Sequence, residues 1–260
     1  FSEDQQALRD AVRKWVDKAY DFESRRKAVA AGGFSRDTWN QLAELGLTGL
    51  AVPEAQGGMG LGPVDAMVVL EEAGRGMVLE PLVQAIIAGV VLSTYAPEAV
   101  QAATLPKVAS GEALIVLAHQ ERKARYNLNQ VEAKATKAGD GWTVTGQKGV
   151  VPVADQADAF IVPAIADGKT ALFLVERSAK GVSTTGYVTQ DGSRAGDLKL
   201  DGAAATLITA DGAAALQHAV DVGIAGVSAQ AVGAMDKFLG MTAEYLNQRK
   251  QFGVTLSTFQ

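Results

Sequence analysis

Three side chains near the carboxyl-terminal end of the sequence have the types and spacing to bind a ligand that carries both phosphates and a flat ring. They are Arg249, Gln251 and Phe252, and they stand just before Gly253, where a long helical pattern ends. A guanidinium group donates a planar fork of hydrogen bonds that matches phosphate oxygens. The alternative is a basic helix end that the helix dipole stabilises, with Phe252 as a hydrophobic contact. The spacing alone leaves both interpretations open.

The composition is that of an ordinary globular protein and excludes several kinds of site. The 260 residues are 48% hydrophobic and 20% charged, and a net charge of −5 without a basic block argues against nucleic acid as a partner. Cysteine is absent and only His119 and His218 are histidines, so we expect no disulfide and no metal site. No apolar run is long enough to span a bilayer, and the first residues do not resemble a signal peptide. We therefore expect a cytoplasmic protein without a membrane partner.

Residues 1–113 have the periodicity of helices. Ser2 and Gln5 predict a capping box at the start of the first helix, and apolar residues recur behind them at helical spacing. Glu72 and Arg75 lie near the end of a later helical segment, where we expect them to be solvated.

Residues 114–209 contain short apolar or alternating runs that predict strands. These runs are 114–118, 142–148, 160–164, 170–175 and 197–201. Glycine-containing turns at 139–141 and 167–169 are typical of hairpins, so the region predicts an antiparallel barrel or sandwich. Residues 210–260 return to a nearly continuous helical pattern, with an interruption expected at 223–226.

The terminal stretch resembles the acyl-CoA dehydrogenase signature Tyr-x-x-x-Arg-x-Gln-Phe-Gly, with Gln260 seven residues after Gly253. Upstream, Leu-Glu-Glu-x-Gly-Arg75 and Trp142-x-Val-x-Gly-x-Lys148 match the N-terminal and middle domains of the same family. The resemblance runs across the whole chain and implies an α+β multidomain fold. Its domains would be an N-terminal all-helical domain (1–113), a middle β-barrel or sandwich domain (114–209) and the start of a C-terminal helical bundle (210–260), which we expect to be incomplete in this chain.

The resemblance implies FAD as the cofactor, held between subunits. In that family the Arg, Gln and Phe of the signature reach across a dimer interface to the FAD of the neighbouring subunit, while the middle domain lies against the flavin ring. Val150 and Pro152 fall where the family usually has an aromatic residue and a small hydroxyl residue beside that ring. The residues that the resemblance assigns to FAD are Arg249, Gln251, Phe252, Gln260, Gln120, Val150 and Pro152.

One segment departs from the family. A flavin loop of the type Thr-Glu-Pro-x-x-Gly-Ser-Asp corresponds here to residues 120–127, in which Glu121 is retained and the glycines are lost. Such glycines let backbone amides approach a ligand closely. Either the loop holds the flavin differently or this chain's own flavin pocket is degraded. As a further alternative, Arg122, Arg125 and Tyr126 contact the phosphates of a CoA substrate, although such charges also suit a solvated loop.

No catalytic base can be named from the sequence. The family removes an α-proton with a Glu, which in most branches follows the terminal signature and in a minority stands where this chain has Gly223. Ile224 replaces the Arg that often follows, and Asp221 is better suited to a helix-start cap. We therefore expect the base beyond Gln260 or on a partner chain.

The function implied by the resemblance is FAD-dependent α,β-dehydrogenation of an acyl-CoA thioester, as an oxidoreductase in acyl-CoA or fatty-acid catabolism. An electron-transfer flavoprotein would accept the electrons, and the chain would form a homo- or heterotetramer. The altered loop and the missing Glu leave three alternatives open: a helper subunit of a heteromeric acyl-CoA dehydrogenase, a catalytically inactive scaffold subunit, and a flavin monooxygenase or oxidase on the same fold.

Overall fold

The computed structural model describes residues 1–259, which fold into a helical layer, a β-barrel and one long helix. The helices of the first layer are α1 (Glu3–Ala19), α2 (Phe22–Ala30), α3 (Arg36–Glu44), α4 (Pro63–Arg75), α5 (Leu82–Tyr95) and α6 (Glu98–Ala109). The predicted capping box is confirmed, because the Ser2 hydroxyl accepts from the Gln5 amide while the Gln5 side chain accepts from the Ser2 amide. None of the helices in residues 1–259 is long and apolar enough to cross a membrane.

Glu72 and Arg75 are not a solvated helix end, contrary to the prediction. The Glu72 carboxylate is buried and accepts two hydrogen bonds from the Arg13 guanidinium, at 2.6 and 3.0 Å, and one from Arg75 at 2.7 Å. These bonds tie α1 to α4. Although burial opposes ionisation, the two guanidinium groups hold the pKa of Glu72 below its usual range.

The strands form a seven-stranded sheet that closes into a barrel. They are β1 (Ile115–Leu117), β2 (Lys134–Ala138), β3 (Gly141–Pro152), β4 (Ala159–Ala166), β5 (Lys169–Glu176), β6 (Val182–Val188) and β7 (Arg194–Thr209). Strands β4, β2, β3, β7 and β5 pair in that order, and β5 pairs back with β4. The barrel is therefore as predicted, except that β4 pairs with β1 and β2 in parallel.

Strands β4 and β5 are buried on both faces, which explains their continuous apolar sequences. Phe160 and Phe173 point into the barrel, whereas Ile161 and Leu172 belong to the core shared with the helices. Because successive side chains alternate across a strand, one strand serves two cores. The barrel and the helical layer therefore share a hydrophobic core.

The last helix, α7 (Gly212–Gln248), is continuous, so the predicted interruption at 223–226 is wrong. Glycines on α7 and α4 allow these two helices to cross closely. A Cβ on Gly233 would lie 1.8 Å from the Glu71 carbonyl oxygen of α4, and one on Gly74 would lie 2.0 Å from the Gln230 carbonyl oxygen of α7. The small residues are thus required by packing between two helices.

The distal part of α7 carries an exposed apolar face. The exposed large side chains there include Met235, Phe238, Leu239, Met241 and Tyr245. The helix is followed by a short hairpin of β8 (Lys250–Gln251) and β9 (Val254–Thr255). A face of this kind is typical of a surface that another chain or segment covers.

Candidate functional site

A cavity of about 420 Å³ lies where the barrel meets α5 and α7. We call it the neutral cavity. Its walls include Val83, Gln84 and Ile87 of α5, Leu117 and His119 at the end of β1, residues 149–152 of β3, and Gly223 and Ile224 of α7. Within residues 1–259, His119 is the only ionisable side chain that lines it. The neutral cavity therefore suits a ligand portion that is uncharged and mostly apolar.

A bulge in β3 forms one wall of this cavity. The pairing of β3 with β7 shifts register between Lys148 and Val151, and the backbone of Val150 has a φ of +53°. Positive φ is a true outlier for a β-branched residue, and such strain is often found at functional sites. Val150 is thereby turned out of the barrel, and the Gly149 amide donates to the Gln120 carbonyl at 2.9 Å.

A second cavity of about 840 Å³ adjoins the first and has a basic lining. We call it the basic cavity. It shares Gln120, Gly149 and Val150 with the neutral cavity. Its other side chains include Arg122, Arg125, Tyr126 and Lys199, together with the carboxylate of Asp197. These three basic side chains outnumber the Asp197 carboxylate, which accepts from the Tyr187 hydroxyl. The lining therefore favours an anionic group, and guanidinium groups match phosphate oxygens.

A buried ion pair anchors the loop 120–127. The Lys148 ammonium, which is fully buried, lies 2.6 Å from the Glu121 carboxylate and donates to the Pro163 carbonyl at 2.8 Å. The Glu121 carboxylate also accepts from the amides of Glu132 and Ala133, at 2.6 and 3.1 Å. Burial lowers the pKa of Lys148, and Glu121 opposes that shift. The pair anchors the start of the loop to β3 and β4, and Glu121 also links it to the segment that leads into β2.

The loop keeps a glycine-like turn although its glycines are lost. Arg125 has a φ of +50°, in the left-handed region, and its side chain lines the basic cavity. Non-glycine residues adopt this conformation only at a cost in free energy. A guanidinium group therefore stands at a strained turn of this loop, where glycine would be accommodated without strain.

Replacing this residue should separate stability from anion binding. We expect Arg125→Gly to raise the free energy of unfolding by about 0.5 to 1 kcal/mol, because glycine tolerates positive φ. The same variant should bind inorganic pyrophosphate about tenfold more weakly, because a charged hydrogen-bond donor is lost. Urea unfolding and isothermal titration would measure the two effects. Arg122→Gly is the matched control: it lines the same cavity without a positive φ, so it should lose affinity without gaining stability.

His119 is a neutral histidine on the wall of the neutral cavity. Burial, and secondly the charge of Lys148, lower the pKa of His119 to about 4. Its imidazole is therefore uncharged at neutral pH, with one nitrogen able to donate and the other able to accept. Neither nitrogen has a hydrogen-bond partner within residues 1–259.

A third cavity, of about 520 Å³, lies between the α4–α5 connection, α7 and the β6–β7 turn. Glu80 on its wall is only 2% exposed, and its Oε1 accepts from the Ser35 amide at 3.2 Å. Its Oε2 is buried with no partner in the described residues. Burial raises the pKa of Glu80, because an ionised carboxylate is poorly solvated there.

Ionisation of Glu80 should therefore cost stability as the pH rises. The pKa of Glu80 is higher in the folded than in the unfolded protein. The protonated carboxyl group therefore makes its full contribution to stability below about pH 4.5, and this contribution is lost as the pH rises through the folded-state pKa. We expect Glu80→Gln to be more stable than the wild type by about 1 kcal/mol at pH 8, with the advantage vanishing near pH 4. Urea unfolding across this range measures it. Exposed Glu176→Gln should show no such pH dependence; an identical pH profile for both variants would refute the assignment.

The structure brings only part of the predicted site together. Gln120 and Val150 line both the neutral and the basic cavity, and Pro152 lines the neutral cavity. The three residues predicted to contact CoA phosphates, Arg122, Arg125 and Tyr126, all line the basic cavity.

The terminal signature lies elsewhere. Arg249, Gln251 and Phe252 are exposed on the terminal hairpin and line neither cavity, and Phe252 is 93% exposed. Their exposure is compatible with contact to another subunit. Gln260, the remaining residue predicted to bind FAD, lies outside the described residues.

No carboxylate among residues 1–259 lines the neutral cavity. Gly223 and Ile224 line it, and Gly223 is the position to which the resemblance assigns the base of some family members. Asp221 lies outside the lining and accepts from the Gln217 amide at 2.8 Å. That no catalytic base lies in the described part of this chain remains a prediction.

The sequence analysis missed His119, Gln84 and Lys199 as site residues. A lone histidine and a helical glutamine carry no recognisable spacing, and Lys199 alternates with apolar residues like any exposed strand residue. Only the meeting of β1, α5 and β7 around the β3 bulge identifies them.

The fold therefore combines a helical layer, a closed barrel and a long helix, with the neutral cavity at their junction and the basic cavity beside it on the barrel. A family model described as the acyl-CoA dehydrogenase N-terminal domain matches residues 2–112. Acyl-CoA dehydrogenase FadE27 of Mycobacterium tuberculosis is 30% identical over 232 residues, a match covering 87% of this chain and 60% of that relative. Together with the steroid ACAD structure described next, which is 32% identical and of which this chain covers 70%, these matches show that this chain belongs to the acyl-CoA dehydrogenase family.

Solved structures agree with this assignment. A variant of the Tcur3481–Tcur3483 steroid ACAD is 32% identical with a TM-score of 0.90, covering 99% of this chain and 70% of that chain. The ChsE4–ChsE5 complex of Mycobacterium tuberculosis is 27% identical with a TM-score of 0.88, covering 100% and 71%. The chain thus spans about 60 to 70% of the length of these relatives.

Proposed function

We propose that this chain is part of an FAD-dependent acyl-CoA dehydrogenase that introduces an α,β double bond into an acyl-CoA thioester. The observation that carries the proposal is the pair of adjoining cavities, one neutral and one basic, that share Gln120, Gly149 and Val150. FAD and acyl-CoA both join an uncharged portion to phosphates. Membership of the family supports the same reaction.

The basic cavity fits the phosphates of such a ligand. Arg122 and Arg125 would donate to phosphate oxygens, and Lys199 would add a third positive charge. The Lys148–Glu121 pair contributes no net charge there; its role is to keep the loop and its two arginines in position.

The neutral cavity fits a flat, uncharged ring or an acyl chain. Bound FAD would supply the hydride acceptor of the reaction. Val150 and Pro152 would pack against the ring and exclude water, but Pro152 offers neither an amide nor a hydroxyl hydrogen, and the Gly149 amide is already bonded to Gln120. Gly149 and Pro152 therefore offer no free hydrogen-bond donor to the uncharged part of the ligand.

Turnover itself tests the proposal. We would incubate the full-length protein, in the assembly it forms, with a straight-chain acyl-CoA and an artificial electron acceptor, and follow the CoA ester by mass spectrometry. The proposal predicts an enoyl-CoA that has lost two hydrogen atoms. A protein that binds FAD and acyl-CoA but forms no enoyl-CoA, with any partner subunit present, would contradict it.

A second candidate is a helper role in a heteromeric dehydrogenase, with electrons passing to an electron-transfer flavoprotein. It is supported by the lack of a carboxylate in the neutral cavity and by the exposed positions of Arg249 and Phe252. The exposed apolar face of α7 supports an oligomer, and the ChsE4–ChsE5 relative is a complex of two different chains. Purification of the chain alone discriminates: full turnover without a second gene product would exclude this role.

A further inference from the structure

The polar groups of the neutral cavity are concentrated on one wall. Gln84 of α5 and His119 at the end of β1 both line it, and the opposite wall on α7 is largely apolar. Apolar residues between them include Val83, Ile87 and Leu117. A small number of polar groups in an apolar cavity usually fixes the orientation of a ligand.

The orientation of the Gln84 amide is fixed by chemistry. The backbone amide of Leu117 donates to the Gln84 Oε1 at 2.9 Å. Because a backbone N–H can only donate, the oxygen of the side chain must face Leu117. The amino group of Gln84 is then the free end, and it has no protein acceptor within residues 1–259.

His119 adds a second uncharged donor beside it. No protein partner occupies its ring nitrogens in the described part of the chain, and they are not among the fully buried polar atoms, so they stay accessible to a ligand. The nearby positive charge of Lys148 is neutralised by Glu121 at 2.6 Å. The wall therefore offers hydrogen-bond donors without net charge.

We infer that Gln84 and His119 form a neutral recognition pair that selects a mostly apolar ligand portion carrying a hydrogen-bond acceptor. This inference rests on the proposed function and names specificity-determining residues for it. The acceptor is an uncharged oxygen or ring nitrogen, and two sources share that chemistry: the thioester carbonyl of an acyl-CoA and the polar edge of the FAD ring. A carboxylate at this wall is disfavoured, because none of the residues 1–259 that line the cavity carries an unpaired positive charge.

Three substitutions isolate the pair. His119→Leu removes both ring nitrogens, whereas His119→Gln keeps an uncharged donor. Gln84→Glu keeps an oxygen for the Leu117 amide and replaces only the free amino group. Ser228→Ala is the control, because it removes a hydroxyl from the α7 wall of the same cavity. Circular dichroism and urea unfolding would establish that each variant is folded.

The probes are octanoyl-CoA, its thioether analogue S-octyl-CoA, which lacks the carbonyl, and FAD, each measured by equilibrium titration of the full-length protein. If the carbonyl is the acceptor, His119→Leu and Gln84→Glu should weaken octanoyl-CoA binding about tenfold and leave the thioether unchanged. If the flavin edge is the acceptor, FAD binding should weaken about tenfold and its visible absorption should shift. In either case His119→Gln should stay within about threefold of the wild type.

Two results would count against the pair and are distinguishable. A wild type that binds the probes, with both His119→Leu and Gln84→Glu unchanged like Ser228→Ala, would overturn the recognition pair alone. A folded wild type that binds neither FAD nor either CoA derivative would overturn the proposed function, and the pair with it.

Discussion

Replacing Lys148 by methionine should lower the free energy of unfolding by about 3 to 5 kcal/mol, since the Glu121 carboxylate would be left buried without its charged partner. The loss should extend to ligand binding. Glu121 also holds the amides of Glu132 and Ala133, so the loop that carries Arg122 and Arg125 would lose its anchor. Urea unfolding followed by circular dichroism measures the first effect, and pyrophosphate titration measures the second.

Two further variants test the same prediction if Lys148→Met folds poorly. Lys148→Met combined with Glu121→Gln removes both charges, and we expect it to recover a large part of the lost stability, as is common for buried ion pairs. Exposed Lys169→Met in β5 should change stability by less than about 0.5 kcal/mol. A Lys148→Met loss as small as that of Lys169→Met would show that the pair does not fasten the loop.

Arg249→Ala should weaken FAD binding by about tenfold to a hundredfold without changing stability. The side chain is exposed and makes no ion pair within residues 1–259, so the fold does not depend on it. A charge-assisted hydrogen bond to a phosphate contributes about 1.5 to 3 kcal/mol. The neighbouring exposed Lys250→Ala is the matched control, and equilibrium titration with FAD is the measurement.

The same variant tests whether the contact is made between subunits. Arg249→Ala and Arg125→Glu should each impair FAD binding alone, one through the partner's site and the other through its own. Dimers mixed from the two variants would contain one site with both arginines intact, so mixing should restore part of the binding. If mixing restores nothing, Arg249 does not act on a neighbouring subunit's FAD.

Local sequence patterns predicted the structure correctly where interactions between residues close in sequence determine it. The capping box at Ser2 and Gln5 depends on residues three positions apart, and the strands around Phe160 and Phe173 depend on continuous apolar runs. The resemblance assigns Val150 and Pro152 to the wall beside the flavin ring, and both residues line the neutral cavity.

Features that depend on distant partners were not predictable. Glu72 looks like an exposed helix residue until α1 brings Arg13 to it, and the glycines at 223–226 look like a break until α4 and α5 pack against α7. Likewise, nothing near His119 in the sequence indicates that β1 ends at a cavity wall formed by α5 and β3. Long-range packing, rather than propensity, decides these positions.

The most direct measurement is titration of the full-length protein with FAD, in the assembly it forms, followed by anaerobic addition of octanoyl-CoA while the visible spectrum is recorded. The adjoining neutral and basic cavities predict that FAD binds, that octanoyl-CoA perturbs its absorption, and that Arg122→Glu with Arg125→Glu abolishes the binding of the ligand, FAD or octanoyl-CoA, whose phosphates occupy the basic cavity. A folded protein that takes up no FAD, or a double variant that binds both FAD and octanoyl-CoA as tightly as the wild type, would contradict the assignment of these cavities.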